Sequence, residues 1–521
     1  MPLALETEPP VRLAAYRTSL TTWVNGKKHA IASANLDMTL LEWLRSIGLT
    51  GTKLGCGEGG CGACTVVVSS FDAAAGAPRH AAVNACLFPL CAVDWCAVTT
   101  IEGIGSTRKG LHPVQERMTE MHGSQCGFCT PGIVMAMYAL FRTTPDLGVA
   151  TLEEHMDGNL CRCTGYRPIL DAGRSLCSDA DRTPCGGGGG CGGGGCGGGG
   201  CGGGGDAATC AHDHGGAEAA GAAGGPAGVP ADGRLVDGDV VSDGAGKAAV
   251  YRTPYSETAA AAAEPEFPSE LRAPPSPLRV AAAAAGGGSW WKPTTLAELL
   301  LLRQAYPAAR IVVGNTEVGI ESRYKGRATD SFLCPTAVPE LTACADGDDG
   351  MTLGAAASLA DVEKLCGGAA AARPGRRGEV ARAVMAMLRW FASTQIRNAA
   401  CLGGNLVTAS PISDMNPMLA ACGATLRVAS AARGDRTVAV ASFFKAYRTV
   451  DLAADEIVVS VHVPHAQEDA FVRPFKQARR REDSASPLPP DPRSHTRIPH
   501  APRRAAARTT SRSSLRASTS G

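Results

Sequence analysis

The stretch GCGEGGCGACTVVV, Gly55–Val68, places three cysteines on glycine-rich backbone just ahead of an apolar run. The spacing is Cys56-x4-Cys61-x2-Cys64, with Cys86 further on in VNACLFPL. This is the plant-type ferredoxin spacing for a [2Fe–2S] cluster. Four thiolates must converge on two irons, and glycine lets the backbone turn at positive φ and aim N–H groups at sulfur. A structural zinc site is the alternative, but zinc usually takes paired C-x2-C knuckles, and x4 followed by x2 is not that. Cys91 and Cys96 read as small buried hydrophobes.

The chain has 521 residues, room for several domains. Lys+Arg total 50 against Asp+Glu 49, which argues against a nucleic-acid surface as the main function. No apolar run reaches the roughly 18 residues of a membrane-spanning helix. The N-terminal MPLALETEPPVRL has proline and acids where a signal peptide needs a basic start and an apolar core. The C-terminal RASTSG carries no peroxisomal or retention signal. The expectation is a cytoplasmic protein, with a peroxisomal home left open and no membrane or nucleic-acid partner. Disulfides are not expected there, so 21 cysteines call for metal, redox chemistry or low-complexity sequence.

Composition divides the chain. Residues 18–177 read as globular. Residues 178–287 hold CGGGGGCGGGGCGGGGCGGGG, Cys185–Gly205, then abundant Ala, Gly, Pro and Asp. Such sequence cannot bury enough apolar area to offset chain entropy, and a flexible, disordered linker is expected. Residues 288–483 are globular again, and the Arg/Pro/Ser tail 484–521 is expected to be disordered. Within the first block, LTTWVNGKKHAI gives two strands around Asn25-Gly26, a type I′ hairpin signal. In MTLLEWLRSIGL, Leu40, Leu41, Leu44 and Ile47 fall at helical spacing with Thr39 as N-cap. With CTVVVSS as a buried strand, these elements suggest a small α+β domain.

Two further close pairs follow, Cys126-x2-Cys129 and Cys161-x-Cys163. After the first, Pro131 suits a helix's first turn, and Ile133, Val134, Met137, Tyr138 and Phe141 make an apolar face. Before the second, Thr151 and Glu154 fit a capping box, Gly158 would stop that helix, and Pro168 could start another. Each pair then sits at a helix terminus, and at an N-terminus the dipole favours thiolate. Alone, such pairs could be a redox dithiol or a zinc site. Behind a ferredoxin loop, a second cluster is expected. Further on, Gly314-Asn315-Thr316 and Gly403-Gly404-Asn405 lie at the ends of apolar runs, with Ser410 and Asp414 following. Small residues there permit backbone N–H groups to approach an anion such as a pyrophosphate. Neither turn is part of a G-x-G-x-x-G, and two ordinary turns in an α+β domain remain the alternative.

The segments CGEGGCGACTVVVS, NACLFPLC, TTIEGIGS, SQCGFCTPGIVMAMYAL and GNLCRCTGYRPIL resemble, in order, the N-terminal portion of the xanthine dehydrogenase/aldehyde oxidase family of molybdenum hydroxylases. The resemblance implies an α+β multidomain protein. A β-grasp ferredoxin domain would span 18–104 and an α-helical domain 105–177, each with one [2Fe–2S] cluster. The implied ligands are Cys56, Cys61, Cys64 and Cys86, and Cys126, Cys129, Cys161 and Cys163. Gln125 matches a glutamine that faces the pterin in the family. VVGNTEVGIE, GGNLVTASPISDMNP and FKQARRRED resemble the family's FAD domain, of the vanillyl-alcohol-oxidase (PCMH) type, here incomplete over 288–483. The implied flavin contacts are Ile311, Val312, Val313, Gly314, Asn315, Thr316, Glu317, Val318, Phe391, Cys401, Leu402, Gly403, Gly404, Asn405, Asp414, Val458 and Lys476. Cys401 stands where relatives often have serine, and Val458 where they often have leucine.

In the family, electrons from a substrate oxidised at molybdenum pass through both clusters to FAD, and then to NAD or O2. The resemblance therefore implies an oxidoreductase relay, with xanthine or hypoxanthine as the substrate class; TTIEGIGS and FKQARRRED lean that way. It also implies a molybdopterin-bearing domain or subunit as partner, a homodimer in full-length relatives, and no hydroxylating residue in this chain. The family pattern ends after Asp483, and the tail reads like a shifted frame or unspliced sequence. An aldehyde oxidase-type relay, a stand-alone electron-transfer flavoprotein, and a metal-binding protein using the Gly/Cys run are the other readings.

Overall fold

The computed structural model describes residues 16–180, 254–262, 264–282, 288–326, 329–467 and 470–476. The Gly/Cys run and the tail lie outside the described residues.

Strands β1 (Leu20–Val24) and β2 (Lys27–Ile31) form the expected hairpin, with Asn25 at φ 49° and Gly26 at φ 79°. Helix α1 (Leu40–Ser46) starts on a full capping box: Thr39 accepts from the Glu42 N–H, and Glu42 accepts from the Thr39 N–H. Its Leu40, Leu41, Trp43 and Leu44 are buried. Strands β3 (Thr65–Asp72), β4 (Ala77–Asn84) and β5 (Ala97–Thr99) complete a sheet of order β2-β1-β5-β3-β4. Only β1 and β5 run parallel. One helix against this mixed sheet is the β-grasp arrangement. It carries the ferredoxin loop between α1 and β3.

Helices α2 (Ile101–Ile104), α3 (Pro113–Glu120), α4 (Thr130–Thr143), α5 (Val149–His155) and α6 (Arg167–Arg174) follow. Pro131 and Pro168 sit in the first turns of α4 and α6. Ile133, Val134, Met137, Tyr138 and Phe141 are all buried. The Thr151–Glu154 capping box does not form. Helix α5 begins two residues before Thr151, on Gly148, without a side-chain cap of its own. Its first N–H, on Val149, instead donates to Asp179 Oδ1 at 2.8 Å. A carboxylate thirty positions away replaces the local cap, which spacing alone cannot reveal.

The linker boundary also needs correction. Residues 254–282, assigned to linker by composition, are folded wherever described. Tyr255, Leu271, Leu278 and Val280 are each at most 1% exposed. Glu264 accepts from Tyr138 Oη and Arg142 Nη1, both at 2.7 Å, and from the Tyr255 hydroxyl. Trp95 Nε1 donates to Ala273 O at 2.8 Å. A few anchors spaced along an Ala/Pro-rich strap suffice to tie it down, although its average composition is that of a linker.

Strand β6 (Leu278–Ala281) joins β7 (Ser289–Lys292), β8 (Arg310–Ile311) and β9 (Phe332–Leu333) in a sheet of order β6-β7-β9-β8. Its Leu278, Val280, Trp290, Val312 and Phe332 share one apolar core with Leu20, Leu40, Val66 and Cys86 of the β-grasp domain. A second, antiparallel sheet has β10 (Cys344–Asp346), β11 (Gly350–Gly354), β12 (Thr425–Ser430), β13 (Gly434–Ala439) and β16 (Ile457–Pro464), in the order β10-β11-β16-β12-β13. Strands β14 (Phe444–Ala446) and β15 (Thr449–Val450) form a separate hairpin. The helices Leu359–Ala372 and Glu379–Leu388 pack on the second sheet through Val362, Cys366, Val384 and Leu388. No helix among the described residues is long and apolar enough to cross a membrane.

Candidate cofactor sites

Glycines 57, 59 and 62 take φ of 74°, 78° and 66°, so the first cysteine loop uses the left-handed backbone its composition allows. The turn aims N–H groups at sulfur: Cys56 N–H donates to Cys61 Sγ and Glu58 N–H to Cys56 Sγ, both at 3.3 Å. The thiols meet in pairs, Cys56 with Cys61 and Cys64 with Cys86. Burial opposes ionisation of Cys56, but N–H donors from Glu58, Cys61 and Gly60 outweigh it and hold the thiol below its ordinary value. Cys86 is also held low, first by its contact with Cys64, whose own thiol that contact and burial push up.

The second set behaves alike. Cys126 meets Cys163, and Cys129 meets Cys161. Cys129 is the residue on which α4 begins. Cys161 and Cys163 precede α6, and the Cys161 N–H donates to Tyr166 Oη at 3.1 Å. Burial, and then contact with Cys161, pushes Cys129 up to about 12. Cys126 and Cys163 are exposed, as are Gln125 and the apolar side chains of Phe128, Leu160 and Tyr166.

Among the described residues, no three His, Cys, Asp or Glu side chains are placed to hold a single metal ion. The eight thiols converge two by two instead, and the two pairs of each set feel one another electrostatically: Cys64 feels Cys61, and Cys129 feels Cys126. A binuclear cluster on four cysteines asks for this donor set, two thiolates to each iron. A zinc ion would draw all four onto one centre. The residues present fit a [2Fe–2S] group at both loops.

The two small-residue turns abut. A Cβ on Gly314 would lie 2.1 Å from Ala399 O, and one on Gly403 would lie 2.6 Å from Ala355 O. Asn315 adopts φ 60°. Cys401 caps the helix Leu402–Thr408, its Sγ accepting from the Gly404 N–H at 3.3 Å. Burial pushes its thiol up to about 11. Asn405 Oδ1 accepts from Ser413 Oγ at 2.7 Å. Lys476 Nζ binds Asp414 at 2.6 Å and Trp390 O, beside Phe391, at 2.7 Å. Val458 is buried in β16. The adjoining Val459 O accepts from the Ala355 N–H, and Ala355 O accepts from the Gly403 N–H, both at 2.9 Å. Ile311, Val312 and Val313 lead into the first turn, and Thr316 to Val318 lead out into the helix Val318–Lys325. Glycine is required at 314 and 403 because the backbone of each packs directly against a neighbouring carbonyl, which leaves no room for a side chain.

The cysteine loops and the glycine turns touch. Asn315 Nδ2 donates to Leu87 O, next to Cys86, at 2.9 Å. Arg323 Nη1 donates to Gly57 O at 3.1 Å, and Tyr324 Oη to Cys56 O at 3.3 Å. On the other side, the Leu160 N–H, next to Cys161, donates to Cys61 O at 2.9 Å. Sequence reading missed Leu160, Arg323, Tyr324 and the bridging role of Asn315. Their partners lie tens to hundreds of positions away, and no local signal marks them.

Family models match three consecutive stretches: a 2Fe-2S iron-sulfur cluster binding domain over residues 23–91, a [2Fe-2S] binding domain over 100–174, and the FAD binding domain in molybdopterin dehydrogenase over 283–466. The chain therefore carries two [2Fe–2S] domains and an FAD-binding domain. It is 42% identical over 468 residues to the xanthine dehydrogenase/oxidase of Mus musculus, covering 89% of this chain and 32% of that protein. The Gallus gallus xanthine dehydrogenase/oxidase is 44% identical over 467 residues, 89% of this chain and 33% of that protein. Xanthine dehydrogenase 1 of Arabidopsis thaliana is 40% identical over 488 residues, 89% of this chain and 32% of that protein. The chain spans about a third of the length of these relatives.

Proposed function

We propose that this chain, which shares the iron–sulfur and FAD portion of the xanthine dehydrogenase family, is the electron relay of a purine-oxidising molybdenum hydroxylase. Its ligands are Cys56, Cys61, Cys64 and Cys86 for one cluster, and Cys126, Cys129, Cys161 and Cys163 for the other. Residues 311–318 and 401–405 would hold the flavin. Bound there, the clusters and the flavin supply one- and two-electron redox chemistry.

The protein's own part is positioning. The Asn315–Leu87 hydrogen bond ties the flavin turn to the first cysteine loop, and the Leu160–Cys61 bond ties that loop to the second. This unbroken succession of contacts is the observation that carries the reading. N–H donors at Cys56 favour the thiolate that binds iron. Burial of Cys64 and Cys86 keeps water from that side, while exposed Cys126 and Cys163 leave the second loop open to an outside donor. That donor is a molybdenum-cofactor domain or subunit, docking over Phe128, Leu160 and Tyr166. NAD or O2 accepts at the flavin end.

The test is rapid-freeze EPR after anaerobic mixing of the cofactor-loaded chain with NADH. Reduction of both clusters within the mixing series is expected. Flavin bleaching with both clusters left oxidised would refute the relay. Among substrates, a partnered enzyme should turn over xanthine in preference to an aldehyde.

A further inference from the structure

We infer that Gln395 is a positioning residue of the relay: through Asn159 it sets the register of the two cysteine loops, and with it the separation across which the clusters exchange electrons. The inference rests on the two-cluster reading above.

Gln395 belongs to the FAD-binding segment, yet its side chain lies between the two iron–sulfur domains and is 1% exposed. Its Nε2 donates to Asn159 Oδ1 at 2.8 Å and reaches Thr65 Oγ1 at 3.4 Å. Asn159, also buried, passes the contact on, its Nδ2 donating to Gly62 O at 3.0 Å. Thr65 Oγ1 donates to the same carbonyl at 2.6 Å. Gly62 adjoins Cys61, and Asn159 is two residues before Cys161. Between them, the Leu160 N–H donates to Cys61 O at 2.9 Å. One amide from the third domain thus closes a ring through both ligand loops.

The fit leaves no slack. A Cβ on Gly62 would lie 2.2 Å from Gly158 O, and one on Gly158 would lie 1.7 Å from Gln395 Oε1. Gln395 Oε1 itself is buried without a hydrogen-bond partner among the described residues. An unsatisfied buried acceptor costs stability, and an apolar side chain of similar length would avoid that cost. Stability alone does not account for glutamine here; the bond to Asn159 does. Domain docking has its own fastening nearby, the Arg397–Asp157 ion pair at 2.9 Å and the Thr394 N–H to Asp157 at 2.9 Å.

The test uses the full, cofactor-loaded chain with Gln395→Met, Asn159→Ala, both together, and Asp157→Asn. The readouts are iron content, the magnetic interaction between the two reduced clusters by low-temperature EPR, and exchange of the Leu160 amide. Gln395→Met and Asn159→Ala should each keep wild-type iron and both cluster signals, lose or shrink the inter-cluster splitting, and speed Leu160 exchange. The double variant should go no further than either single one, as expected of residues acting as one unit. Asp157→Asn should lower the unfolding temperature and keep the splitting. Wild-type splitting and exchange in Gln395→Met would overturn the inference, as would equal loss in Asp157→Asn. If Gln395→Met does not fold, Asn159→Ala decides by the same readouts. A wild-type chain without two clusters would instead overturn the site reading on which this rests.

Discussion

Replacing Glu264 by alanine should release the 254–272 strap. The carboxylate binds Arg142 and Tyr138 at 2.7 Å each, receives the Tyr255 hydroxyl, and lies 3.7 Å from His112 Nε2. Its side chain is 17% exposed and that of Arg142 11%, so the pair is largely desolvated. Removing one partner of such a pair costs about 3–5 kcal/mol, because the other charge is left buried. An exposed pair would cost no more than about 1 kcal/mol. The cost falls on the strap, whose Tyr255 N–H donates to Leu176 O at 2.9 Å. Hydrogen exchange at Tyr255 reads it directly: about 3 kcal/mol is roughly a hundredfold loss of protection. Exposed Glu257→Ala, on the same strap, should stay within about 0.5 kcal/mol. A Glu264→Ala protein with less than about fivefold faster exchange at Tyr255 would show that the carboxylate does not clamp the strap, and the account of that segment would fail.

Burial, with Arg142 beside it, pushes His80 down to about 4. The unfolded chain, titrating near 6.5, binds this proton first. The stability is thus fully present above pH 6.5 and is lost as pH falls toward 4, by up to about 3 kcal/mol. Denaturant midpoints at pH 7 and pH 5 should differ more in the wild type than in His80→Gln, and equal slopes would contradict this. Gly314→Ala drives a Cβ to 2.1 Å from Ala399 O and should cost about 1–3 kcal/mol while lowering flavin content; unchanged FAD binding by equilibrium dialysis would remove that turn from the site. Cys126→Ser should abolish one EPR signal and leave that of the Cys56 loop, whereas loss of both would mean the loops do not bind separately.

Much of this was legible in local sequence because local chemistry fixes it. Asn25-Gly26 can only turn one way, Thr39 and Glu42 are spaced to cap each other, and the Cys56-x4-Cys61-x2-Cys64 loop carries its own glycines. What escaped was decided by distant partners. Asp179 caps α5 in place of Thr151, and Glu264 holds down a strap whose composition is that of a linker. Asn315 reads as a turn residue until Leu87, 228 positions earlier, is beside it. Gln395 shows nothing in sequence of the two loops it joins. The cysteine pairing, Cys56 with Cys61 and Cys64 with Cys86, is likewise a matter of folded geometry.

The central claim is that eight thiols hold two binuclear clusters. Iron and sulfide analysis of the purified chain, joined to EPR of the anaerobically reduced protein, measures it. About four iron atoms and four sulfides per chain are expected, with two distinct cluster signals. About two irons with a single signal, or zinc in place of iron, would contradict it.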